Sequence, residues 1–265
     1  MNDSTEQLLA SQYAVDILSA LRFPKRSFGE GMVEYALELL ERGRRLPFEI
    51  SRTYTVSLSS ESDSLEQWRA YCPRSGGVAL GFSAAHLKAV AADQGFILAS
   101  CVYDEPEQEA IVRQIIEHHL DIWNKRKTLT ELRQGISSHL VRDLISDLER
   151  FAALLKHRSF AAEREWRLIS PLLERQSAFE LIHVPSPSGI KQFRLFSLLT
   201  TEHPSVVNTT YDDENMGAIV VERQGFRPVI GPNVDPDGMD EAIRALTPPE
   251  FGWVYAIEHT ASPYR

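Results

Sequence analysis

Three short stretches carry residue types that could do chemistry. The first is Thr53-Tyr54-Thr55-Val56-Ser57. Read as a strand, it puts Thr55 and Ser57 on one face, where two hydroxyls can meet a ligand. The second is Trp68-Arg69-Ala70-Tyr71. On a helix, Trp68 and Tyr71 share a face, so both rings could stack on a planar group. Arg69 points elsewhere and could clamp a phosphate or a carboxylate. The plainer alternative makes Trp68 and Tyr71 ordinary core, and spacing alone ranks that alternative first.

The third stretch is Glu163-Arg164-Glu165-Trp166-Arg167. As a strand it turns Glu163, Glu165 and Arg167 one way and Arg164, Trp166 and Leu168 the other. Two carboxylates on one face beside a cleft can orient a ribose hydroxyl and stabilise a cationic transition state. The competing reading is an exposed face of alternating charge, common on half-buried strands, and spacing alone ranks it first here too.

Other chemistries lack their residues. His118-His119 diverge on a helix, and the remaining histidines show no metal-ligand spacing, so no metal is expected. Cys72 and Cys101 make neither a disulfide framework nor a ligand pair. Gly76-Gly77 stands alone rather than in a phosphate loop, and there is no Gly-x-Ser-x-Gly elbow. With 37 acidic against 28 basic residues the net charge is −9, which opposes broad binding to nucleic acid. The basic run Asn124 to Lys127 reads as a solvated helix end. A nuclease reading also lacks an Asp…Glu-x-Lys pattern. The N-terminus is polar, and no apolar run nears the ~18 residues of a membrane span, so a reducing cytoplasm is expected.

Elements must position these residues. Ser4-Thr5-Glu6-Gln7 reads as a capping box opening an apolar-periodic helix that Phe23-Pro24 stops. Ser27 to Glu30 opens a second helix. Arg52 to Leu58 reads as a strand, Ser62 to Tyr71 as a short helix, and Val78 to Phe82 and Phe96 to Tyr103 as strands. Glu107 to Lys125 and about Leu129 to His157 read as helices. Strands follow at Arg164 to Ile169, Phe179 to Val184, Phe193 to Leu199, Ala218 to Val221 and Trp253 to Glu258, with a short helix at Met239 to Leu246. The order gives a single α+β domain over 1–265. Its sheet is mixed and mainly antiparallel, with a helical insertion around 105–157. Pro185 to Gly189 and His203 to Asn215 read as the flexible segments.

These residues resemble the bacterial domain-of-unknown-function family 2971. The resemblance rests on Asn2 to Glu6, on Ser57 to Ser59, on Asp63 to Tyr71 and on Gly77 to Phe82. It also rests on Phe160 with Glu163 to Arg167, on Ile230-Gly231-Pro232 and on Ser262 to Arg265. It implies a distant kinship with ADP-ribosyltransferase-like folds. On that kinship Thr55 and Ser57 match a hydroxyl-bearing second strand. Glu165, with Glu163, matches the catalytic carboxylate. In the NAD-using reading that follows, Ser57 or Thr55 and Trp68 or Tyr71 hold the nicotinamide side, and Arg69 pairs with the phosphates. Members of the family usually begin with a Tyr-His-Tyr-Thr-like strand before the Asn-Asp-Ser segment. The expectation is that this strand is missing here, leaving a sheet edge open to another chain.

The function expected is therefore an NAD-using ADP-ribosyltransferase-like enzyme or NAD glycohydrolase of a toxin or phage-defence type. The alternative is a non-catalytic interaction module on the same fold, with a protein partner or a second copy at the open edge.

Overall fold

The computed structural model describes residues 4–25, 27–45, 53–72, 76–125, 136–172, 181–186, 189–196, 198, 208–210, 220–222, 226–232, 235–246 and 257–260. Arg126 and Lys127, most of His203 to Asn215, most of the expected strand Trp253 to Glu258 and the terminal Ser262 to Arg265 lie outside the described residues. Helices and short, mostly antiparallel sheets make an α+β fold, as expected. By its internal contacts the chain divides into two compact units, one of residues 1–58 and 99–195, the other of 59–98 and 196–265.

Among the described residues the first unit is built on four helices: α1 (Ser4–Ala20), α2 (Phe28–Arg45), α5 (Glu105–Lys125) and α6 (Ile136–Ala152). Their apolar stripes form one core in which Ala14, Leu18, Ala36, Ile116, Val141, Leu144 and Leu155 are almost wholly buried. Burying each large aliphatic side chain contributes about 1.5–3 kcal/mol, which a lone amphipathic helix cannot obtain. The helices around 105–157 share a core with the two N-terminal helices. A three-stranded sheet completes the unit, in the order β1 (Thr55–Ser59), β4 (Glu165–Ile169), β3 (Ile97–Ser100). Ser170 N–H donates to Tyr54 O at 2.9 Å on one side of β4, and Cys101 N–H to Glu165 O at 2.9 Å on the other.

Helix α6 ends at Ala152, short of the expected His157, because the chain turns there to reach the β3 side. Leu155 bridges Val102, and Lys156 N–H donates to Val102 O. A 3-10 helix, Arg158–Glu163, follows, and Arg164 closes it in the left-handed conformation with φ 43°. A non-glycine residue there costs about 1–2 kcal/mol, and the turn re-aims the chain into β4. Beyond β4, β5 (Leu181–Ser186) and β6 (Gly189–Arg194) pair as an antiparallel hairpin. The strand expected at Phe193 to Leu199 therefore sits earlier in the chain and ends at Arg194.

The second unit holds α3 (Leu65–Tyr71), β2 (Val78–Phe82) and α4 (Ala84–Asp93), then β7 (Asn208–Thr210), β8 (Val220–Glu222), β9 (Phe226–Ile230), α7 (Pro236–Leu246) and β10 (Glu258–His259). Strand β9 pairs antiparallel with β2 and parallel with β10. Trp68 anchors this unit. Its ring lies so close to Gly231 that an added Cβ would come within 2.7 Å of Cζ3, so only glycine fits there. Among the described residues no helix is long and apolar enough to cross a membrane.

Candidate functional site

The residues that come together with Glu165 do so because β4 buries the unexpected face. Glu165 and Arg167 are buried, at 4% and 6% exposure, while Trp166 between them is 40% exposed. Hydrophobicity alone would reverse that assignment. The charged face is buried because every charge on it is paired, which is the condition for taking ions out of water.

The pairing runs as a chain of alternating sign. Glu6, on the first turn of α1, receives Arg167 Nη1 at 2.6 Å and Nη2 at 2.7 Å, a two-pronged contact across 161 positions of sequence. Arg167 Nη1 also donates to Ala153 O, and its Nε donates to Glu165 Oε1 at 2.7 Å. Lys156 Nζ donates to Glu165 Oε2 and, at 2.5 Å, to Glu163 Oε2. Ser57, on the neighbouring strand β1, helps to hold the Glu165 carboxylate ionised. Tyr103 Oη accepts from Glu165 N–H at 2.9 Å. Gln108, itself buried, donates from Nε2 to Val102 O and Lys156 O, which fixes the turn carrying Lys156.

The electrostatics follow from this wiring. Burial by itself pushes the Glu165 carboxyl up, but the hydrogen bonds from Arg167, Lys156 and Ser57 outweigh it and hold the group below the usual carboxylate range. Burial pushes Lys156 down, yet its bonds to Glu163 and Glu165 carry it above the ordinary ammonium value. Burial drives the Cys101 thiol up to about 12, so it is neutral and inert as a nucleophile. Burial is also the main cause of the raised Tyr103 phenol.

These directions fix a pH dependence. A depressed carboxyl adds stability above its ordinary value of 4.5 and loses it as pH falls through the lower folded value. A raised ammonium adds stability below its ordinary value of 10.5 and loses it as pH climbs through the higher folded one. The chain of charges is thus fully stabilising between the two. Glu165→Gln is expected to melt lower than the parent near neutrality but to lose less melting temperature between about pH 5 and pH 3. A melt series in buffers across that range checks it, and parallel acid limbs for the two proteins would contradict it.

Of the residues singled out in the sequence, Ser57, Glu163 and Glu165 meet in this network. Thr55 lies two positions before Ser57 on β1 and is half-buried. Glu163 does not share a strand with Glu165, as periodicity suggested. It ends the 3-10 helix and reaches the same lysine because Arg164 turns left-handed between them. Trp68, Arg69 and Tyr71 belong to the second unit. There Trp68 is buried and its indole N–H donates to Asp63 Oδ1 at 2.6 Å, whereas Arg69 and Tyr71 are exposed. Trp68 and Tyr71 therefore do not form a joint ring platform.

Glu6, Lys156, Tyr103 and Gln108 were not legible as site residues. Glu6 lies inside the N-terminal capping box, and nothing local in the sequence ties it to Arg167. Lys156 follows an apolar helix face and reads as solvated. The one available signal was Glu165-x-Arg167 running into Leu168-Ile169, two opposite charges entering a core strand. Among the described residues no three His, Cys, Asp or Glu side chains gather as a metal-holding group.

Comparison with known proteins adds one match. A family model described as a protein of unknown function, DUF2971, matches residues 67–168. That segment contains Tyr103, Gln108, Lys156, Phe160, Glu163, Glu165 and Arg167 but neither Glu6 nor Ser57. No curated protein and no solved structure matches the chain.

Proposed function

We propose that the Ser57–Glu165–Lys156–Glu163 cluster is the reaction centre of an NAD-using, ADP-ribosyltransferase-like enzyme of a toxin or phage-defence type. The observation that carries this reading is the buried Glu165 carboxylate of β4, held by Lys156 and Arg167 on the strand next to the one that bears Ser57. A second carboxylate, Glu163, is tied to the first through Lys156, and its side chain is 23% exposed.

The chemistry needs stable negative charge beside a forming cation. The C–N bond between ribose and nicotinamide breaks, its electron pair leaves with the nicotinamide nitrogen, and the sugar becomes an oxocarbenium ion. Water or a target nucleophile then forms the new bond to that carbon and gives up a proton. Glu165 stays ionised through this, because its carboxyl is held below the usual range. Ser57 beside Glu165 offers oxygen lone pairs that can accept from a ribose hydroxyl. Thr55 on the same strand face supplies a second hydroxyl. Glu163, at the solvent end, is the carboxylate placed to touch the ribose. Trp68, Arg69 and Tyr71 have no part in this proposal.

Ser57→Ala tests it without disturbing the core, since Ser57 is exposed. The parent protein is expected to consume NAD and the variant to be slower by roughly tenfold, the order of one lost hydrogen bond of about 1.4 kcal/mol. Equal rates in parent and variant would remove Ser57 from the site.

A second reading is a protein-interaction module, favoured by the β5–β6 hairpin. Ile182, Val184 and Phe193 lie on one of its faces by register and are 43%, 42% and 47% exposed. On this reading the hairpin, two-stranded among the described residues, pairs through a strand edge with a partner or a second copy. On this reading Phe193→Ser abolishes a complex seen by sedimentation and leaves NAD untouched by either protein.

A further inference from the structure

One aromatic ring beside the cluster is exposed. Phe160 sits in the 3-10 helix, none of whose residues is buried, and its side chain is 43% exposed. The helix is nevertheless fastened at both ends. His157 caps it by accepting from Ser159 N–H, and Arg164 N–H donates to Ala161 O at 3.2 Å. The ring is therefore held in water on a fixed support.

Its neighbour is the lysine of the reaction centre. Lys156 Nζ stands 5.1 Å from the Phe160 ring centroid while also binding Glu163 and Glu165. That distance is within cation–π range. Phe160, Lys156 and Glu163 thus bring a part-exposed ring, an ammonium lying over it and a carboxylate together within eight residues of chain. A lone exposed phenylalanine is ordinary, but one flanked by Lys156 four residues before it and Glu163 three residues after it is a surface for a planar polar ring.

We infer that Phe160 is a stacking platform for a planar heteroaromatic ring of the ligand, with Lys156 beside it as the cation that meets the ring's polar substituents or adjoining phosphate. The inference rests on the NAD reading above and deepens it, because Trp68 and Tyr71 do not supply such a platform. The shared chemistry is a heteroaromatic ring next to phosphate, which either end of the dinucleotide offers.

The test is calorimetric titration of the full chain with NAD, ADP-ribose and nicotinamide mononucleotide, using the parent, Phe160→Leu and Phe160→Trp. Leucine keeps apolar bulk and removes the π-face, and the site's exposure makes unchanged folding the expectation, checked by thermal melts. Phe160→Leu should weaken NAD binding about tenfold, and Phe160→Trp should keep it within about threefold. A matching loss with nicotinamide mononucleotide alone places the nicotinamide on the ring, and with ADP-ribose alone the adenine. Parent-like NAD binding by a folded Phe160→Leu protein overturns the platform and leaves the NAD reading standing. Absence of binding by the parent to all three probes overturns both.

Discussion

Arg167→Met is expected to lower the free energy of unfolding by about 3–5 kcal/mol, the cost of stranding buried charge without its partner. Arg167 is 6% exposed and is bound to Glu6 by two hydrogen bonds, to Glu165 and to the Ala153 carbonyl. Methionine fills the stem's volume but leaves two buried carboxylates facing each other without a cation between them. Glu165 keeps Lys156, but Glu6 loses its guanidinium and must take up a proton or draw in water, and either outcome favours the unfolded chain. Adding Glu6→Gln to the variant removes one of those carboxylates, so the double variant should recover part of the loss. Urea denaturation of the three proteins measures this. A loss under about 1 kcal/mol for the single variant would mean that the buried chain of charges does not hold α1 to β4.

Glu165→Gln is expected to slow NAD cleavage by about 10²–10³-fold, the usual scale for removing one pre-oriented charge-stabilising group. Glutamine keeps the side chain's shape and can still accept from Ser57, so the change tests charge rather than packing. It also weakens the network, and instability could imitate a catalytic loss. Glu6→Gln separates the two effects. It disturbs the same network at the α1 end, where no substrate contact is proposed, so it should lower the melting temperature yet keep kcat within about threefold. If both variants lose activity in proportion to stability, Glu165 is a structural clamp and the enzymatic reading loses its chief residue.

The helices of the first unit were legible because each must bury a stripe. Leu140, Leu144 and Leu148 recur at helical spacing and are buried as that spacing requires. Helix ends were less legible. The periodicity of α6 continues to Leu155, but the chain leaves the helix after Ala152 to pair with Val102, a contact fixed by tertiary structure. The candidate site was half legible. A hydroxyl-bearing strand and a Glu-x-Glu pair can be read from residue types, and Ser57 does meet Glu165. Which face of β4 turns inward could not be read, because local hydrophobicity puts Trp166 in and Glu165 out. The deciding partner, Glu6, lies 161 residues away. Long-range pairing of charges leaves no periodic trace, whereas burial of apolar faces does.

Release of free nicotinamide from NAD by the purified chain, followed over many turnovers by chromatography, tests the proposed reaction centre most directly. The account predicts steady release above the spontaneous rate, nearly abolished by Glu165→Gln and preserved in Glu6→Gln. No release above the spontaneous rate by a folded parent protein, with or without added protein targets, would contradict it.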